Sequence, residues 1–190
     1  QDAAVALRQI LIQSGLLKEP YNGPLFQQAV KTYLERFGPL RAFSQYNAPP
    51  HIHWDEQLYR GDAYATYGWA AYGAEVAVDT RTGEIRVEDF VAVQEVGRVI
   101  HPVMAAGQIE GGVAQGIGWG LSEEVVWRDG RMANAQMTNY ILATAADLPR
   151  LRVFFEESPF AGGPGGAKGI GELPMDGPAP AILNAVQDAL

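Results

Sequence analysis

The stretch Gly162-Gly163-Pro164-Gly165-Gly166-Ala167-Lys168-Gly169-Ile170-Gly171-Glu172-Leu173-Pro174 sets six glycines and two prolines around one ammonium and one carboxylate. Glycine reaches positive φ without a Cβ penalty and lets another body approach the backbone closely. Two readings follow. The stretch is either a solvated surface loop, or a loop whose N–H groups cradle an anionic ligand while Glu172 serves as a general base. Walker A requires Gly-Lys-Ser/Thr running into a helix, but Gly169 follows Lys168 and Pro174 intervenes. Gly-x-Gly-x-x-Gly in a strand–turn–helix setting is also missing. With Asp176 the only nearby acid, no paired-carboxylate site is supported.

Working outward, residues 151–155 form a short apolar strand that feeds this loop. Beyond the loop, Pro178 and Pro180 open a last helix with Ile182, Ala185, Val186, Ala189 and Leu190 inward. A second unusual segment, Gly107-Gln108-Ile109-Glu110-Gly111-Gly112-Val113-Ala114-Gln115-Gly116-Ile117-Gly118-Trp119-Gly120-Leu121, repeats Ile109, Val113, Ile117 and Leu121 at every fourth place, which predicts a helix. It does so despite six glycines, each costing about 1 kcal/mol against alanine in a helix interior. Gly112, Gly116 and Gly120 leave one side bare. That side suits either close helix packing or a flat cofactor with Gln115 supplying polar contacts, and the pattern alone leaves both open.

Residues 75–78 and 85–93 alternate around a turn at 79–84 and predict a hairpin whose wet face carries Glu75, Arg86 and Glu88. It continues through Val96-Gly97-Arg98-Val99-Ile100-His101-Pro102 into the glycine helix. A strand at 123–127, a turn at 128–131 and a return strand from 132 follow, while 138–148 stays ambiguous. Two helices open the chain. Asp2 is expected to cap the first, with Leu7, Ile10, Leu11 and Ser14 on its apolar side and Gly15 at its end. The second starts at Pro24, buries Phe26, Val30, Tyr33, Leu34 and Phe37, and stops at Gly38-Pro39. His51 and His53 beside Asp55 and Glu56 resemble part of a zinc or copper site, but without a third ligand they read as an exposed loop.

Composition narrows the function. The 190 residues are 47% hydrophobic and carry a net charge of −8, with no basic run to meet a nucleic-acid backbone. An acidic body still admits an anionic ligand, because backbone amides bind one without net positive charge. The absence of cysteine rules out disulfides, thiolate nucleophiles and iron–sulfur clusters within this chain. No apolar run approaches the ~20 residues of a membrane span, and no signal-peptide pattern opens the chain. A cytoplasmic location is expected, with the periplasm left open. A start at Gln1 reads as a processed product, a fragment or an incompletely registered subunit.

Together these residues resemble the molybdenum hydroxylases, the xanthine dehydrogenase and aldehyde oxidase family, from about residue 64 to residue 190. The resemblance rests on Gly-Gln-Ile-Glu-Gly-Gly at 107–112 leading to Gln-Gly-Ile-Gly at 115–118, and on Gly166-Ala167-Lys168-Gly169-Ile170-Gly171-Glu172-Leu173-Pro174. His101 stands where the family usually shows Asn. The fold class implied is α+β, mixed helices and short antiparallel strands, forming the second half of a molybdenum-cofactor-binding domain. Residues 1–60 would be its helical and irregular entry, and 61–190 its cofactor-binding region.

The resemblance also implies a site. Glu172 would be the catalytic base, removing a proton from a water-derived hydroxyl at the molybdenum centre during hydroxylation of an N-heterocycle such as a purine, or of an aldehyde. Gln115 would hydrogen-bond near the metal and pterin. Gly116, Gly118, Gly166, Ala167, Gly169 and Gly171 would line the same cofactor pocket, with Lys168 as an anion contact. No residue of this chain would ligate the metal. A loop that desolvates Glu172 would raise its pKa toward neutrality, and an inward Lys168 would oppose that shift.

The molybdenum–molybdopterin cofactor, plain or in its cytosine dinucleotide form, would be shared with the remaining N-terminal part of the subunit. Iron–sulfur clusters and FAD would lie on partner domains or subunits. Alone, the chain is expected to be inactive and to hold no cofactor tightly. Two other readings stay open: a non-catalytic structural or assembly module of the same fold, and a domain that binds a phosphorylated small ligand.

Overall fold

The first helix, α1 (Asp2–Gln13), takes Gln1 as its N-cap residue, so Asp2 is not the cap. Its carboxylate lies inside the first turn, where it meets the positive end of the helix dipole. The computed structural model describes residues 1–190 as two units, Gln1–Ala63 and Tyr64–Leu190. In the first unit α2 (Gly23–Phe37) is capped by Asn22, whose Oδ1 accepts the Leu25 N–H at 3.0 Å, and is ended by Gly38 at φ +82°. The two helices close on Leu11, Leu17 and Ala29, flanked by Phe26, Val30 and Tyr33. Because the buried face centres on Ala29, Leu34 and Phe37 are 48% and 60% exposed rather than inward. A two-residue pair, β1 (Trp54–Asp55) and β2 (Arg60–Gly61), completes the unit. His51 and His53 are exposed, and no group of three metal-ligating side chains forms anywhere in the chain.

The second unit is built on the predicted hairpin, β3 (Trp69–Val78) against β4 (Ile85–Glu95). A bulge opposite Glu75 and Val76 lets Glu88 and Asp89 both stay out of the core while Val87 and Phe90 face in. The helix α3 (Pro102–Leu121) begins five residues before the glycine segment; His101 caps it, its Nδ1 accepting the Met104 N–H at 3.2 Å. Ala105, Ile109, Val113 and Ile117 are its buried stripe, while Leu121 is 37% exposed.

The strand pair predicted after α3 shrinks to β5 (Trp127–Arg128) and β6 (Arg131–Met132) around Asp129-Gly130, both at positive φ. Val126 donates to the Asn134 side chain at 2.9 Å instead of to a strand carbonyl, so the ladder stops there. Last in the sheet, β7 (Arg150–Glu156) pairs with β4 in parallel, giving the order β3-β4-β7. A parallel step needs a long crossover, and α3 supplies it. The α+β class therefore holds, with one parallel pairing among antiparallel ones.

A 3-10 turn (Pro164–Gly166), a one-turn helix α4 (Leu173–Asp176) and α5 (Pro178–Ala189) follow. Val87, Phe90 and Ala92 of β4, Ile109, Val113 and Ile117 of α3 and Ile182 of α5 form one core. No helix is long and apolar enough to cross a membrane.

Candidate functional site

The glycine loop is a pinned structure. The amides of Gly163, Gly166, Ala167 and Lys168 donate to the carbonyls of Phe160, Gly163, Pro164 and Val96 at 2.8–3.2 Å. The Gly166 carbonyl in turn accepts from Arg98 and Phe160 at 2.8 and 3.0 Å. A bridge between Gly97 and Ala167 ties the loop to the end of β4. Gly97 sits at φ +72°, and a Cβ there would collide with the Gly166 carbonyl, so the close approach needs glycine. Those four amides are spent within the chain and cradle no anion.

Helix α3 carries two glycine stripes that differ in what they meet. A Cβ at Gly112, Gly116 or Gly120 would stand 2.7 Å from Pro174 Cγ, 2.8 Å from Pro178 Cγ or 3.2 Å from Ala179. This is the stripe noticed in the sequence, and it is a packing face for α4 and α5. A Cβ at Gly107 or Gly111 would meet nothing within 4 Å. Gly107, Gly111 and Gln115 lie at i, i+4 and i+8, one row over.

That second row is one wall of an open cavity of about 390 Å³, and Gly171 and Glu172 form the facing wall. Gln115 and Glu172, far apart in sequence, thus face one space, and both are exposed. Gln115, expected to supply polar contacts on this helix, stands at the cavity. Gln108 joins the same wall, with Nε2 3.5 Å from the Gly171 carbonyl, at the outer limit of a hydrogen bond. Gly107, Gln108 and Gly111 belong to a motif that carries the resemblance but were not assigned to the site, because the side of α3 covered by Pro174 is what reveals which side stays open.

The other expected residues are dispersed. Ala167 and Lys168 border a second cavity of about 360 Å³, together with Arg98, His101, Met104 and Gln108. Lys168 brings little charge to it. Its Nζ pairs with Glu95 Oε2 at 2.6 Å and donates to the Tyr67 carbonyl at 3.0 Å, and the two paired side chains are only 10% and 12% exposed. Gly116 is buried against Pro178, and Gly118 against Glu123 and Ala143. Gly166 and Gly169 border neither cavity. A larger cavity, about 600 Å³, lies between Arg86, Ile117 and residues 141–148, and of the expected residues touches only Gly118.

Around Glu95 the electrostatics are opposed. Burial pushes its carboxyl up, but the Lys168 hydrogen bond, the Gly97 N–H at 2.7 Å and the Lys168 charge outweigh it and hold the pKa below the usual range. Glu172 is exposed in this chain, so any desolvation of its carboxylate comes from atoms outside the chain.

Glu172 thus faces the glycine row of α3 across an open space, with Gln115 in that row. Residues 3–149 match the molybdopterin cofactor-binding domain, and the chain belongs to that family. Over 125 residues it is 39% identical to the probable hypoxanthine oxidase XdhD of Escherichia coli (strain K12), covering 65% of this chain and 13% of that protein. Against the carbon monoxide dehydrogenase large chain of Afipia carboxidovorans it is 30% identical over 200 residues, covering 98% of this chain and 25% of that one. Among solved structures, quinoline 2-oxidoreductase from Pseudomonas putida 86 superposes with a TM-score of 0.58 at 41% identity, covering 60% of this chain and 15% of the other. The chain thus spans a quarter or less of the length of these relatives, and it is a member of the molybdenum hydroxylase family. Glu172 lies beyond the 3–149 match.

Proposed function

We propose that this chain is part of the molybdopterin-binding subunit of a molybdenum hydroxylase that hydroxylates an N-heterocycle or an aldehyde, with Glu172 as general base. One observation carries the reading: Gln115 and Glu172 share a cavity whose glycine wall, at Gly107 and Gly111, has no packing partner within the chain. A helix carrying glycine at an open wall loses about 1 kcal/mol per residue against alanine, which only a neighbour outside the chain offsets. A flat pterin is such a neighbour. Gln115 and Gln108 would hold it through their amides, with the Gly171 backbone opposite. Its plain or cytosine dinucleotide form, the iron–sulfur clusters and the FAD belong to the same proposal.

When bound, the cofactor supplies the two-electron redox chemistry of hydroxylation. Glu172 accepts the proton from a water-derived hydroxyl at its carboxylate. Its exposure leaves desolvation to the cofactor, the substrate and the rest of the subunit, and so the isolated chain should be inactive. Glu172→Gln in the assembled enzyme should lower turnover by about 10²–10⁴-fold with molybdenum content unchanged. Unchanged turnover would favour the structural or assembly module instead. The phosphate-ligand reading loses ground because the amides of Gly163, Gly166, Ala167 and Lys168 are already paired; saturable binding of a simple phosphorylated ligand to this chain alone would restore it.

A further inference from the structure

Gln94 and Glu95 are consecutive residues of β4, so their side chains leave opposite faces of the sheet. Each reaches one flank of the Glu172 turn. Gln94, fully buried, donates through Nε2 to the Tyr72 hydroxyl at 2.9 Å, and that hydroxyl donates to the Leu173 carbonyl at 2.6 Å. Glu95 holds the Lys168 ammonium at 2.6 Å, while the Lys168 amide donates to the Val96 carbonyl at 2.8 Å. Between the two anchors lie four residues, 169–172, of which two are glycine and the last is Glu172.

Such a segment has little stiffness of its own. Ile170 packs against the core, the Ile170 and Glu172 carbonyls accept the Leu173 and Met175 N–H groups at 3.1 and 2.8 Å, Gln108 reaches the Gly171 carbonyl at 3.5 Å, and further restraint comes from the ends. Positions 90, 92 and 94 all face inward, and the first two are apolar. At the third, Gln94 leaves its Oε1 without a hydrogen-bond partner, a cost that an apolar side chain would avoid. What Gln94 contributes is the link to Tyr72. The Tyr72 ring also lies against Gly177, where a Cβ would collide with it, so the phenol is seated at the joint between α4 and α5. Burial pushes the phenol's pKa up and the Asp176 charge adds to this, outweighing the Gln94 hydrogen bond, so the hydroxyl stays protonated as a donor.

We propose that Tyr72 and Lys168, held by the adjacent β4 residues Gln94 and Glu95, are positioning residues that fix Glu172 at the cavity, an inference that rests on Glu172 being the base. In the assembled, cofactor-loaded enzyme, Tyr72→Phe removes only the hydroxyl. Amide hydrogen exchange across 169–175 should speed up while the 79–84 turn is unaffected. Turnover should fall by about tenfold to a hundredfold, with KM changed less than about twofold. On a Glu172→Gln background the same substitution should lower turnover no further.

Glu95→Gln keeps the shape of the other anchor, removes its charge and carries the same expectation independently. Unchanged exchange at 169–175 in both variants overturns the proposal. So does faster exchange with full turnover in an enzyme that loses activity on Glu172→Gln. If Glu172→Gln itself keeps full turnover, the base assignment fails, and the exchange data separately decide whether the anchors hold the turn.

Discussion

Pro174, fully buried, lies against the bare flank of α3 at Gly112, where a Cβ would come within 2.7 Å of its ring. Two residues upstream is Glu172, so the packing of one proline helps set where the carboxylate stands. Gly112→Ala should cost about 1–3 kcal/mol by overpacking a rigid ring. Gly111→Ala, one residue away and in open space, should stabilise the helix by about 0.5–1 kcal/mol and yet reduce the molybdenum retained. Thermal unfolding and metal analysis of the assembled enzyme check both, and equal effects at the two positions would refute the separation of the stripes.

The Glu95–Lys168 pair predicts a dependence on pH. A carboxyl whose folded pKa is depressed adds stability above its unfolded value and loses it as pH falls through the folded one. Stability from this pair should be complete at neutrality and should decline below about 4.5, the ordinary glutamate value. Lys168→Met should remove about 3 kcal/mol, by leaving a mostly buried carboxylate uncompensated, and should flatten the acid limb. Denaturant titrations between pH 3 and 7 (roughly the span over which a carboxyl titrates) distinguish the two proteins.

Capping of α3 by His101 predicts a modest effect. His101→Ala should destabilise by about 1 kcal/mol, whereas His101→Asn, with a better N-cap acceptor, should match or exceed the parent. Unfolding midpoints measured side by side decide it. Equal loss in both variants would mean that the ring matters for more than its Nδ1.

Gln108 and Gln115 are exposed and have little to do with folding in this chain. Leucine at either position should change stability by less than about 0.5 kcal/mol. Both variants should nevertheless purify with less cofactor, measured as pterin released per subunit. A full complement in Gln115→Leu would remove that residue from the proposed site.

The hairpin, the last helix as far as Val186 and the inward row of α3 were legible because periods of two and four place apolar residues on a single face; Ala189 and Leu190, expected inward, are exposed at the helix end. The start of α3 was not, since histidine is a rare cap and Pro102 reads equally well as the end of a loop. Glu172 and Gln115 stood out as polar residues in glycine-rich settings. Gly107 and Gly111 did not stand out from Gly112 and Gly116, for only the seating of Pro174 and Pro178 separates them. The roles of Tyr72 and Lys168 in holding the Glu172 turn were beyond reach for another reason, although Lys168 was singled out as an anion contact. Their partners Leu173 and Glu95 lie 101 and 73 residues away, and no local pattern encodes a pairing of that range.

Gly111 and Gly112 are neighbours on α3, so they point about 100° apart, one to open space and the other to Pro174. The helix is therefore keyed, like a shaft with a flat milled on one side. Turning it by one residue so that Gln115 took the place of Gly116 would drive Gln115 toward Pro178 and bring Ala114 to the cavity. A single-residue insertion between 111 and 112 would remove no glycine and still break the site, because the half of α3 that seats the Glu172 turn would no longer agree with the half that walls the cavity.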